Sequence, residues 1–478
     1  MNRPLFFILS ALFLGHGLRA ADYCVVTSEE TAKNKKWAKV VEALAKKHGA
    51  QVLRYSESVE EVLPKLRETF PRHACFVARP SETSKNYVRA IHRLTRKLDD
   101  DPYVDLFWGI LSGYDAANAI AIANTAKPLV IGNSLACTEI ALEHCKQGKW
   151  FCELRQGHGM AKAKGEEAKV IRLPQDTTGL FVKELNEGKP DLFVTSGHAT
   201  ENDLQLGYRY RNGVFKCKEG TLFGSDLKAG RHQVDSPNPK VYMPIGNCLM
   251  GHLAGPDSMA AAFLKSAGVR QMMGYVEVTW YGYMGWGCLD YFVEQPGRYT
   301  FTEAFFANHN ALIHRLETCF PDVARHVPAA GPRPRIPRPT PTPQARKLRL
   351  GPMDATGLLF DRDIVAFYGD PAWSAKMDDA TLNWKQSLTQ KGDKHRFTIT
   401  PLLGPESYQP VNRNGVQRGH RPFVAFFDQR IGPVEILSGE ELNPVITDNF
   451  ILVPNPPSDQ PAKPIEITFL AHILPRAD

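Results

Sequence analysis

The chain has no CxxC pair, no internal repeat and, after its first twenty residues, no apolar run of the about 18 residues that a membrane helix needs. The first absence removes the common spacing of structural zinc. The second removes solenoid and propeller architectures, and the third leaves a mature chain without a transmembrane segment. Acidic residues are missing altogether from Val323 to Met353, where Arg325, Arg333, Arg335, Arg338, Arg346, Lys347 and Arg349 stand. Those seven charges equal the formal excess of +7. The rest of the chain is close to neutral, which argues against a basic nucleic-acid face on the folded domains.

A length of 478 residues, 43% hydrophobic and 10% aromatic, can build real cores and suggests roughly two to four units. Residues 1–20, MNRPLFFILSALFLGHGLRA, carry Arg3, an apolar run from Leu5 to Leu14 too short for a bilayer, and a cleavage position at Ala20 and Ala21. They read as a secretory signal peptide, ahead of an uncleaved anchor or a buried first helix. The expected location is therefore secreted, periplasmic or cell-surface. Cys24 follows soon after, but AADYC lacks the small residue before cysteine that lipid attachment would want. Nine cysteines are an odd number, so at least one thiol has no partner within the chain.

Short β-branched or aromatic runs then alternate with amphipathic stretches: YCVV, QVLRY, HACFVA, VDLFWGIL, PLVIG, KVIRL, DLFVTS, KVYMPI and RQMMGYV, most followed by a helical pattern. This alternation predicts an α/β fold, a mostly parallel sheet with helices on both faces. Ligands of such sheets sit beyond the carboxyl ends of strands. The segment GPRPRIPRPTPTPQARK has proline at every second or third position and predicts an extended, solvated insertion over 326–352. From His395 onward short strands with Pro, Gly and Asn turns predict a small antiparallel β-sandwich. The expected units are 21–101 (α/β, with no assigned chemistry), 102–392 (α/β, carrying the insertion) and 393–478 (sandwich).

Two stretches carry the chemistry. In PDLFVTSGHATEND an apolar run ends in small polar residues and His198; in KVYMPIGNCLMGHLAG another ends in Gly246, Asn247 and Cys248, fifty residues on. Two strand ends of a parallel sheet can be neighbours, and a thiol beside an imidazole suits nucleophilic catalysis. Gly197, Gly246 and Gly251 let backbone approach a substrate closely. The amides of Ala199 and Cys248 are candidate oxyanion donors, and Glu201 or Asp203, or a backbone carbonyl, could orient the imidazole. The competing readings are a buried structural cysteine and a metal site from His198, Cys248 and His252, which lacks a carboxylate at an evident ligand spacing.

These residues resemble the gingipain-like cysteine peptidases of the caspase-hemoglobinase fold. LFVTSGHAT is similar to the family's histidine strand and VYMPIGNCLMG to its cysteine strand, with Gly251 at the glycine of the loop after the cysteine. DLFWGILSGYDAANAI resembles the strand and helix that open the catalytic domain, and VAFYGDPAW the strand and turn that close it. The likeness spans roughly Asp105 to Trp373 and departs at Ala199, where the family has glycine, and at Ile110 or Leu111, where it often has arginine. No acidic residue can be placed in a first specificity pocket, so a preference for Arg or Lys is not implied.

The resemblance implies His198 as base, Cys248 as nucleophile, Ala199 and Cys248 amides as oxyanion hole, and Trp280 and Tyr281, with Gly197, at a substrate cleft. It also implies an immunoglobulin-like domain after the catalytic one, no organic cofactor, and room for a structural calcium ion, although no calcium ligand loop is visible. The expected activity is an exported cysteine endopeptidase acting on protein or peptide substrates. The alternative is a catalytically silent peptidase-like module that binds protein or glycan.

Overall fold

The computed structural model describes residues 22–329, 335–411, 419, 421–456 and 460–474. The leader at 1–20 lies outside the described residues. One twelve-stranded sheet dominates the chain. Its strands are β1 (Tyr23–Ser28), β2 (Gln51–Tyr55), β3 (His73–Val77), β4 (Phe107–Leu111), β5 (Asn133–Ala136), β6 (Gln147–Phe151), β7 (His158–Lys162), β8 (Lys169–Arg172), β9 (Leu192–Thr195), β10 (Lys240–Pro244), β11 (Val269–Tyr275) and β12 (Val365–Tyr368). Their spatial order is β2-β1-β3-β4-β12-β11-β10-β9-β5-β6-β7-β8.

Ten of the twelve strands form two parallel blocks, and β7 and β8 add antiparallel at the β6 edge. Strands β2, β1, β3, β4 and β12 are mutually parallel, as are β11, β10, β9, β5 and β6. The blocks meet antiparallel at β11 and β12, with Tyr275 opposite Val365. The carboxyl ends of β9 and β10 therefore share an edge with the amino ends of β4 and β12. Strands such as YCVVTS, FWGIL, LFVT and VAFY are buried along their whole length, which is why they read as continuous apolar runs.

The helices that bear on the site are α1 (Lys35–His48), α2 (Lys85–Leu94), α3 (Met259–Ser266), α4 (Tyr283–Phe292), α5 (Phe301–Cys319) and α6 (Pro352–Arg362). Polar caps start several of them: Asn34 accepts from Lys36 and Trp37, Ser84 from Tyr87, Ser258 from Ala261, and Thr300 forms a capping box with Glu303. Gly49, at φ 60°, closes α1. None of the helices among the described residues is long and apolar enough to cross a membrane.

Several expectations need correction. The stretch 21–101 is no separate sheet, since β3 pairs with β4 along five residues. PLVIG supplies Leu129–Ile131, which pairs with Ala375–Met377 outside the main sheet. Four strands between β9 and β10, within 203–233, form their own antiparallel sheet. The second half of the insertion is docked, because Thr342 bonds Thr318 and Cys319 at the end of α5 and Ala345 is fully buried. Residues 330–334 of the insertion lie outside the described residues.

A boundary at 392/393 would cut a hairpin, because Trp384–Lys391 pairs with Lys394–Pro401 through the turn at Gly392. The carboxyl-terminal unit thus begins with Trp384. It consists of a four-stranded and a three-stranded antiparallel sheet, packed around Phe397, Ile399, Phe423, Ile451, Ile467 and Phe469.

Candidate active site

Strands β9 and β10 are direct neighbours, in register from Leu192 opposite Val241 to Thr195 opposite Pro244. His198 lies three residues past the end of β9 and Cys248 four past the end of β10. The two loops are locked together by Asn247, which is fully buried. Its Oδ1 accepts from the Thr195 hydroxyl at 2.7 Å, and its Nδ2 donates to the Gly197 carbonyl at 2.8 Å. A main-chain bond from Ile245 N to Thr195 O at 2.9 Å extends the ladder by one residue. Gly197 holds φ at 114°, a conformation that favours glycine.

Beyond it the chain turns back on itself. His198 O accepts from Gln205 N, and Asp203 O accepts from Thr200 N, both at 2.9 Å. Ala199 and Leu204 are thereby a non-hydrogen-bonded antiparallel pair, so the Ala199 N–H points away from its hairpin partner. The Cys248 amide likewise makes no backbone hydrogen bond among the described residues. Leu249, next in sequence, has φ 59°, uncommon for a branched residue, and is held there by its N–H bonding Glu277 O at 3.3 Å.

The thiol and the imidazole rest on different partners. Cys248 Sγ donates to the Thr279 carbonyl at 3.5 Å. Burial pushes this thiol above its ordinary value, and the backbone groups of Thr279 and of Cys248 itself oppose that rise as smaller influences. The exposed His198 ring lies against Tyr208, with centroids 4.9 Å apart. Among the described residues no hydrogen bond joins the thiol to the imidazole, or Glu201 or Asp203 to the imidazole. The Glu201 carbonyl instead accepts from Met259 N at the start of α3, and its carboxylate lies near His252. Asp203 sits in the returning strand of the hairpin.

Behind the cysteine loop the packing is tight. A Cβ on Gly251 would meet Gly274 O at 2.1 Å, and one on Gly285 of α4 would meet Ile245 O at 1.9 Å. Trp280, 43% exposed, follows Thr279, whose carbonyl accepts the thiol's hydrogen bond. Tyr281 departs from expectation: it is 6% exposed, packs on Gly357 of α6 and donates to Asp354 at 3.0 Å. It is core, whereas Trp280 faces solvent. Cys288 is buried within α4.

All nine cysteines are free thiols, six of them buried, so the odd count singles out none. His198, Cys248 and His252 do not gather into a ligand set. Among the described residues the one such group is Asp99, Asp101 and Asp105, whose carboxylate atoms lie within 4.8 Å of one another. Burial, then the neighbouring acids, pushes Asp105 up to about 9 and Asp101 to about 7. A cavity of about 370 Å³, walled by Phe70, Phe107, Phe306, Phe426 and Phe427, is likewise separate from the thiol.

Sequence reasoning did not find Asn247 as a clamp, Tyr208 beside the imidazole, or Glu277 behind the cysteine loop. The signal for Asn247 was its place next to Cys248. Tyr208 and Glu277 come from segments with no recognisable motif.

No family model matches the chain, and no curated protein matches it. Among solved structures it is similar to gingipain R, an Arg-specific cysteine proteinase, with TM-score 0.45 and 10% identity over 92% of this chain and 93% of that one. It is also similar to a complex of the pro- and mature domains of RgpB from Porphyromonas gingivalis, with TM-score 0.44 and 9% identity over 91% and 94% of the two chains.

Proposed function

We propose that this chain is an exported cysteine peptidase of gingipain-like, caspase-hemoglobinase architecture. One observation carries the reading: the two segments marked by sequence as chemistry-bearing lie on adjacent parallel strand ends and are clamped by the buried Asn247. In the proposed reaction the Cys248 side chain turns from the Thr279 carbonyl toward His198, and the imidazole takes the thiol proton as sulfur attacks the peptide carbonyl carbon. The N–H groups of Ala199 and Cys248 hold the resulting oxyanion. The imidazolium then gives its proton to the departing amine, leaving a thioester on Cys248. A water molecule, deprotonated by His198, hydrolyses that thioester and restores the thiol. No step uses a metal or organic cofactor.

Cys248→Ala and His198→Ala should each abolish hydrolysis of an unstructured protein substrate while leaving the unfolding midpoint nearly unchanged. Hydrolysis retained in Cys248→Ala would overturn the reading. A second reading, a silent module that binds peptide or glycan without cleaving, is favoured by the raised Cys248 thiol and its bond to Thr279. The alkylation rate of Cys248 across pH separates the two. A midpoint well below the about 8.5 of a free thiol marks an activated nucleophile, and one above it marks the silent module.

A further inference from the structure

The segment facing the thiol, Glu277 to Tyr281, is closely determined. Thr279 O lies 3.5 Å from Cys248 Sγ, and Glu277 O holds Leu249 N. A peptide whose carbonyl reaches the sulfur therefore passes beside the side chains of this segment. Its one acid, Glu277, is 6% exposed and bonded to Lys85 at 3.5 Å and Arg89 at 3.2 Å, both on α2. It is already neutralised from behind. Asp354, the next carboxylate along this wall, accepts from Tyr281 and from Gly351 N.

The side chains that reach solvent here are Val278, 44% exposed, and Trp280, 43% exposed. Beside His198 the exposed side chain is Tyr208; charges of both signs surround it in the chain, Glu201 and Asp203 before it and Arg209 and Arg211 after it. Apolar and aromatic groups thus stand exposed beside the thiol and beside the imidazole, where a surface loop ordinarily places polar ones.

We infer that this site selects peptides with a large apolar side chain, aliphatic or aromatic, next to the scissile bond. The inference rests on the cleft assigned above to Cys248 and His198. An apolar side chain covers Trp280 and Val278 and takes their surface out of water. A basic one leaves that surface in water. Exposed large apolar groups at a site of this kind are a mark of recognition.

The test uses the Cys248→Ala chain and fluorescent peptides identical except for Leu, Phe, Arg, Lys or Asp at one position, read by anisotropy. The same peptides in quenched form are offered to the unsubstituted chain. Leu and Phe peptides should bind at least about tenfold tighter than Arg or Lys peptides, a ratio typical of a well-filled hydrophobic subsite. Trp280→Ser, a substitution at a solvent-facing residue, should remove most of that ratio. Equal binding, a preference for Arg, Lys or Asp, or no binding overturns the inference. Apolar binding without cleavage leaves it standing and overturns the peptidase reading alone.

Discussion

Removing the Asn247 side chain with Asn247→Ala deletes two buried hydrogen bonds, one from the Thr195 hydroxyl at 2.7 Å and one to Gly197 O at 2.8 Å. Each is worth about 1 kcal/mol net. The two acceptor and donor groups left behind fare differently. Thr195 keeps a partner in the Tyr242 hydroxyl, 2.9 Å away. The Gly197 carbonyl is left without the Asn247 amide in a buried position, which adds about 1–3 kcal/mol. The expected loss is thus about 3–5 kcal/mol, a large share of the about 5–15 kcal/mol that holds a typical domain.

Urea unfolding followed by tryptophan fluorescence reads this as a lower midpoint at unchanged slope. Asn247→Asp supplies a control with a different signature. The introduced carboxylate can still accept from Thr195, but it faces the Gly197 carbonyl with no hydrogen to offer. Protonation restores that donor, so the carboxylate's pKa is raised in the folded state. Stability of Asn247→Asp relative to the unsubstituted chain should accordingly recover as pH falls below about 5. A loss under about 1 kcal/mol in Asn247→Ala, or no such recovery in Asn247→Asp, would refute the clamp.

Gly285→Ala should destabilise by about 2 kcal/mol or more despite alanine's better helix propensity, because its Cβ would lie 1.9 Å from Ile245 O. The helix cannot easily retreat, since Met284 N bonds Asp361 at 3.1 Å and Gly285 N bonds Tyr275 at 3.0 Å. A raised urea midpoint would contradict this. Asp105, pushed up to about 9 by burial and its acidic neighbours, holds a proton in the folded state that the unfolded chain releases near about 4. Stability from this group is full below about pH 4 and falls as pH rises toward about 9. Asp105→Asn, whose amide oxygen can still accept from Leu98 N, should therefore gain on the unsubstituted chain steadily between pH 5 and 9; parallel curves would count against it.

The fold class was legible because strands buried on both faces must read as apolar runs, and YCVV, FWGIL, LFVT and VAFY do so. Sheet order was not, since it depends on which runs pair across hundreds of residues. The antiparallel meeting of β11 and β12 joins residues 272–275 to 365–368, and nothing local encodes it. Edge strands such as β8, KVIR, are half polar and exposed, so their pattern is no guide to their direction. The boundary at 392/393 failed for a related reason. Lys391, Gly392, Asp393 and Lys394 look like a linker and are the turn of a hairpin, because tight turns and linkers draw on the same residues. Whether Tyr281 walled a cleft or packed in the core was open in the sequence, because its burial is decided by Gly357, seventy-six residues away.

The resting position of Cys248 narrows what catalysis asks of this chain. The backbone around the sulfur is fixed: Asn247 clamps one side, Leu249 and Gly251 bond Glu277 and Tyr275 on the other, and the Ala199 N–H is turned outward by its hairpin. The proposed oxyanion donors, the amides of Ala199 and Cys248, would thus sit on backbone fixed before substrate arrives, which is the costly part of such a site to assemble. In the proposed reaction the thiol must leave the Thr279 carbonyl for the imidazole. An S–H···O contact is a weak bond, so releasing the sulfur from that carbonyl costs little. Ala199 constrains this scheme less than its departure from glycine suggests, because the donor is the amide and its direction is set by the pairing with Leu204, which an alanine side chain does not disturb.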